Sequence, residues 1–219
     1  PDINPTLATV DLLGVFDFVR AKALYAIDID ANMPHISKHT EIEWYHAVHP
    51  VLLQSLRNQG KDIVPLDIRL TQKERILVIS GPNAGGKSVC LKTVGVVQYM
   101  TQVGLLPPVY DNSHVGIFDN IFIDIGDDQS IEDDLSTYSS HLRNMKHFLS
   151  RGDASTLVLI DEFGGGTEPL IGGAIAQAIL KEFNVKQMWG VVTTHYQNLK
   201  TFAEDTPGLI NGSMLYDRH

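Results

Sequence analysis

Two short stretches carry residue types that can do chemistry on a phosphate. The first is "GPNAGGKS", Gly81 to Ser88, which fits G-x-x-x-x-G-K-[ST]. Glycines in such a loop let backbone N–H groups face a phosphate where side chains would block the approach. A helix N-terminus behind the loop adds a partial positive end. Lys87 reaches the β- and γ-phosphates of a nucleotide, and the Ser88 hydroxyl offers a coordination position to Mg²⁺. The second stretch is "TLVLIDE", where an apolar run delivers Asp161 and Glu162 to its end. Asp161 suits Mg²⁺, directly or through water, and Glu162 suits the general base that orients an attacking water. A chance glycine turn and a solvated acidic pair are the bland alternatives. The apolar run before each stretch and the helical pattern after the first favour function.

Two further positions are weaker signals. His195 ends "VVTTH", and a histidine beyond the end of a parallel strand can hydrogen-bond a γ-phosphate and sense its loss. A structural histidine fits the spacing equally well. Ser136 opens "STYSSHLRNM". Serine is a good N-cap, so a capped surface helix competes with a helix start presented to a phosphate of the same or another subunit.

These residues need elements to hold them. The spacing of Val10, Leu13, Phe16 and Val19, widened by Leu12, Val15 and Leu24, predicts a helix from Thr6 to about Ile29. Residues 30–53 read as loop and short strands. "DIVPLDIRL" and "RILVIS" read as strands, the second fully buried. Lys87 to Gln102 reads as a helix ended by Gly104 and the Pro107–Pro108 pair. A strand region follows in "GIFDNIFIDIG", then an acidic loop and a helix from about Thr137 to Leu149. "STLVLI" is a buried strand, Leu170 to Phe183 a helix and "MWGVVTTH" a strand. Alternation of this kind predicts an α/β fold with a largely parallel central sheet flanked by helices.

Composition sets bounds. The chain has 219 residues, 43% hydrophobic and 20% charged, enough for one α/β domain. No apolar run approaches the ~20 residues of a membrane helix, so no membrane partner is expected. Cys90 is the sole cysteine, which excludes an intrachain disulfide and fits a reducing cytoplasm. Net charge is −9 with no basic run, which argues against a direct grip on nucleic acid. A start at Pro1 and a stop within the strand-like "GLINGSMLYDRH" are expected of a piece of a longer protein.

The order of phosphate loop, Ser-rich helix start, Asp-Glu strand, glycine turn and histidine resembles the ATPase domain of the MutS family, a relative of the ABC ATPases. "GPNAGGKS", "LSTYSSH", "DEFGGGTEP" and "TTHY" carry the likeness. "FDNIFIDIGDDQSIEDDLSTYSSHLRNM" is more similar to the recombination-suppressing branch than to the mismatch-repair branch. The resemblance implies a P-loop NTPase of ABC type at residues 49–219, preceded at 1–48 by a connector helix and lead-in segment. It implies ATP and Mg²⁺ as ligands. Gly81, Pro82, Asn83, Ala84, Gly85, Gly86, Lys87, Ser88 and Val89 are expected around the phosphates, with Ser88 and Asp161 on the metal. Glu162 is expected to serve water, His195 to act as the switch histidine, and Ser136 to act in trans on a second copy of the chain. Gly164 to Thr167 are expected at the dimer interface, and Ile63 and Val64 against adenine, where a plain strand core is the alternative. DNA is expected to be reached only through domains outside this chain. "FGGG" departs from the family's usual turn after the acidic pair.

Competing functions remain open. A nucleotide-dependent dimerisation module would bind without appreciable turnover. An ABC transporter subunit would want an LSGGQ-like signature, whose glycines "LSTYSSH" lacks. A P-loop kinase would lack the late "TTH" strand. The crowded acids Asp124, Asp127, Asp128, Glu132, Asp133 and Asp134 read as a solvated, mobile face in preference to a loop ordered by nucleotide. His35 with His39, and His46 with His49, have metal-like spacing but no evident fourth ligand. Cys90, Trp44 and Trp189 read as core.

Overall fold

Apolar residues on consecutive positions, unlike alternating ones, make a strand that must be covered on both faces. Three segments follow that rule. All five residues of β7 (Thr156–Ile160) and all six of β8 (Trp189–Thr194) are buried, and β4 (Glu74–Ser80) has four buried positions. They form the centre of a five-stranded, all-parallel sheet in the order β6-β7-β8-β4-β9, with β6 at Asn120–Asp124 and β9 at Gly208–Ser213. The computed structural model describes residues 3–81, 86–126 and 134–214, apart from the side chains of 3–6 and 134–137.

Helices cover both faces. On one side α3 (Lys87–Gln102) lays Cys90, Leu91, Val94 and Val97 against Ile79, Leu157, Leu159 and Val191. Its far side meets a second, mixed sheet in the order β1-β5-β2-β3, built from His35–Ile36, His114–Val115, Ile42–Ala47 and Leu66–Leu70. Trp44, Leu70 and Phe118 complete that core. On the other side α4 (Asp134–Arg151), α5 (Pro169–Val185) and α6 (Gln197–Asp205) bury Met145, Phe148, Leu180, Phe183 and Leu199 against Ile76, Val78, Val158 and Val192. Trp189 is 1% exposed, and its indole N–H donates to the Ala154 carbonyl at 3.1 Å.

Four expectations change. Residues 50–53 are not loop or strand but open α2 (Pro50–Arg57), with Pro50 in its first turn and His49 Nδ1 accepting the Leu52 N–H at 3.3 Å. Proline is at home in a first turn because its missing donor has no partner there anyway. The strand expected over "DIVPLDIRL" starts only at Leu66, since Pro65 has no N–H for a ladder. The short polar helix α6 was not expected. Finally, α1 (Ile3–Asp28) has no single apolar stripe: Leu7, Val10, Leu12, Leu13, Phe16, Phe18 and Val19 are all more than half exposed. Among the described residues its C-terminal end is what packs: Ala26 is buried, and Tyr25 and the following Ile29 join Val48, Leu53 and Met100 in one cluster.

Candidate nucleotide site

In parallel α/β sheets, ligands bind beyond the carboxyl ends of the strands. Here β8 lies between β7 and β4. Ile160 pairs with Val192, Ile79 with Thr193 and Ser80 with Thr194. Gly81, Asp161 and His195 therefore all leave the sheet at one edge.

The glycine loop connects β4 to α3. Pro82, Asn83, Ala84 and Gly85 lie outside the described residues. Its two ends are clear. Gly86 caps α3 with φ 78°, a left-handed conformation that costs glycine little and other residues more. Lys87, the first residue of the helix, is 2% exposed, and its Nζ donates to the Gly81 carbonyl at 2.5 Å. The lysine thus reaches back to the first residue of the loop. Burial pushes its pKa down, while Asp161 and Glu162 pull it up. The pairing of β4 and β7 with β8 brings the loop and the acidic pair to one end of the sheet. Ser88 is half-buried and Val89 exposed on the same first turn.

At the end of β7, Asp161 Oδ1 accepts the Glu162 N–H at 3.1 Å and the Thr193 hydroxyl. Among the described residues no hydrogen bond falls on Oδ2. Mg²⁺ takes one or two protein carboxylates and leaves its other positions to phosphate and water, and an Asp161 oxygen with the Ser88 hydroxyl fits that demand. The Thr193 hydroxyl also accepts the Glu162 N–H at 2.9 Å. Sequence reasoning passed over Thr193. Its only signal was a hydroxyl residue next to the end of a buried strand.

Glu162 itself has φ 49°, unusual for a residue with a side chain. Strain of this kind persists where surrounding bonds hold it. Here Glu162 N–H to Thr193 on one side, and Phe163 N–H to the Thr193 carbonyl at 2.8 Å on the other, fix the turn. Beyond it Gly164 has φ 89°, and an added Cβ would lie 2.8 Å from the Tyr196 ring. The Tyr196 hydroxyl donates to the Gly164 carbonyl at 3.0 Å, tying the glycine turn to the start of α6.

The remaining candidates divide. His195 is exposed and directly follows β8. Ser136 is the third residue of α4 and not its cap, because the helix starts at Asp134; its side chain lies outside the described set. Ile63 and Val64 are not strand. They line a cavity of about 370 Å³ together with Gly86, Val89, Thr93 and Met214, so they do face the start of α3. That volume lies in the range of small-molecule sites. His49 also lines it, and burial, with Lys92 adding, lowers its pKa. His46 stacks on Tyr110 with centroids 4.3 Å apart, and His35 lies 5.0 Å from His114.

Among the crowded acids, Asp124 corrects the expectation of a solvated face. It ends β6, is 7% exposed and is hydrogen-bonded at both carboxylate oxygens. Asp127, Asp128, Glu132 and Asp133 lie outside the described residues.

Cys90, 4% exposed, has its thiol pushed up to about 12 by burial. Thiolate is the reactive form. An alkylating maleimide at pH 8 is therefore expected to label the native protein at least about 100-fold more slowly than the chain in denaturant, as followed by mass spectrometry.

Among the described residues no helix is long and apolar enough to cross a membrane. The sequence profile of MutS domain V matches residues 77–219. A protein named Endonuclease MutS2 from Finegoldia magna is 47% identical over 207 residues, covering 94% of this chain and 26% of its own length. Endonuclease MutS2 of Lactiplantibacillus plantarum is 46% identical over 206 residues, covering 94% and 25%. That of Carboxydothermus hydrogenoformans is 42% identical over 209 residues, covering 95% and 26%. The chain thus spans about a quarter of the length of these relatives.

Proposed function

The chain belongs to the MutS family, as a MutS2-type ATPase domain, and from that premise we propose that it binds Mg-ATP and hydrolyses it as a nucleotide-gated dimer. The observation that carries this reading is the strand register that puts the glycine loop, with its buried Lys87, at the same end of the sheet as Asp161 and Glu162. Residues 49–219 form the ATPase unit in this reading, and 1–48 connect it to the remainder of a longer protein.

Each group has a task. Loop amides and the Lys87 ammonium hold the β- and γ-phosphates. Ser88 and Asp161 would hold Mg²⁺, which neutralises charge developing on the phosphates. Glu162 orients and deprotonates the attacking water. Thr193 keeps both acids in place through Asp161 Oδ1 and the Glu162 N–H. Gly81 and Gly86 bracket the loop, Val89 with Ile63 and Val64 borders the adenine, and His195 reports on the γ-phosphate. Ser136, with Gly164 to Thr167 at the contact between copies, serves the nucleotide of the partner subunit. Any engagement of DNA, or the endonuclease activity that the relatives' name states, belongs to parts of the protein beyond this chain.

The test is turnover against protein concentration. With saturating Mg-ATP, phosphate release per chain is expected to rise with concentration and then level off, because a complete site needs two copies. Tight binding with flat, negligible turnover would instead mark a dimerisation module. Absence of heat on titrating Mg-ATP into the folded domain would overturn the reading altogether.

A further inference from the structure

Asp124 is a buried carboxylate with three attachments. Its Oδ2 lies 2.7 Å from His141 Nδ1, and its Oδ1 accepts the Asn144 side-chain N–H at 2.8 Å. His141 and Asn144 stand three residues apart on α4 and so share one helix face. The Asp124 main-chain carbonyl accepts the Asp161 N–H at 3.0 Å. One residue thus joins α4 by its side chain and the first acid of the site by its backbone.

The two halves of α4 are held differently. Toward its C-terminus, Met145 and Phe148 are sunk in the core. Toward its N-terminus, Tyr138, His141 and Leu142 border a cavity of about 30 Å³ that Asp161 and Glu162 also line. That is room for one or two water molecules. The Tyr138 hydroxyl is buried there without a hydrogen-bond partner among the described residues. Apolar packing is non-directional, whereas a carboxylate held by two N–H donors fixes distance and angle. The polar tie thus gives the half of α4 that carries Ser136 a directional attachment.

We propose that Asp124, His141 and Asn144 form a positioning device for ATP hydrolysis. The device locks the N-terminal half of α4 to the Asp161–Glu162 end of β7 and so sets where α4 meets the nucleotide of a partner subunit. The inference rests on the function proposed above. These three are positioning residues, since none needs to touch the nucleotide.

The experiment compares the parent chain with His141→Leu and His141→Asn, the second keeping an N–H donor near the Nδ1 position. Readouts are kcat and KM for ATP, the Kd for a fluorescent mant-ATP, and Tm. His141→Leu is expected to lose about tenfold or more in kcat, the usual cost of removing a group that orients an active-site residue. Its KM and mant-ATP Kd should stay within about threefold, and His141→Asn should recover most of the kcat. Mixing His141→Leu with Lys87→Met adds a readout that a merely structural role would not move. The nucleotide-binding subunit then meets an intact α4 from its partner, and turnover should rise above that of either variant alone. An unchanged kcat in His141→Leu, a failure of His141→Asn to recover it, or a mixture no more active than its parts would each overturn the proposal. If the parent neither binds mant-ATP nor turns over ATP, the functional reading itself fails and this inference falls with it.

Discussion

Glu162→Gln is expected to bind Mg-ATP about as tightly as the parent and to hydrolyse it at least about 100-fold more slowly. The substitution keeps the size of the side chain and changes only its ability to accept a proton. A general base contributes about 10²–10⁴ to a rate, so its loss falls on kcat and leaves KM largely alone. The backbone should tolerate the change. Glutamine meets the same φ of 49° and keeps the backbone bonds from the 162 N–H to Thr193 and Asp161. Calorimetry with Mg-ATP and a phosphate-release assay on the same preparation separate the two quantities. Hydrolysis at the parental rate would remove Glu162 from the role of base.

Lys87→Met is expected to do the reverse at the binding step. A hydrogen bond to a charged group contributes about 1.5–3 kcal/mol, so nucleotide affinity should fall about 10- to 100-fold, and turnover with it. Folding should not suffer. The Lys87 ammonium is 2% exposed and its pKa is pressed down by burial. Removing a charge that burial already disfavours relieves its desolvation cost, which offsets the hydrogen bond lost to Gly81. A Tm equal to or above the parent's, together with weak mant-ATP binding, is the expected pair of results. Parental affinity in this variant would mean that Lys87 does not contact phosphate.

Much of this arrangement is written in local sequence. β4, β7 and β8 are legible because strands covered on both faces are continuous apolar runs, and α3 because glycine and lysine mark its start. The helix α2 reads in sequence as loop and short strand, although a proline in a first turn is compatible with a helix. What could not be read is pairing at a distance. Nothing in "VVTTH" says that Thr193 will stand beside Asp161, because that follows from strand order. Asp124 was misjudged for the same reason. In sequence it joins a crowd of acids, while in space it belongs to His141 and Asn144. The apolar surface of α1 likewise shows composition without showing what faces it.

The strand order also governs how this molecule must assemble. β4 takes both of its neighbours, β8 and β9, from more than a hundred residues downstream. Contacts so remote in sequence make folding slow, since a long loop must close before any pairing is gained. On the ribosome, at about 5–20 residues per second, β4 emerges on the order of ten seconds before its last neighbour exists. Throughout that interval "RILVIS" is an unpaired apolar edge, so the segment that later carries the phosphate loop is the one most exposed to mispairing with another nascent chain.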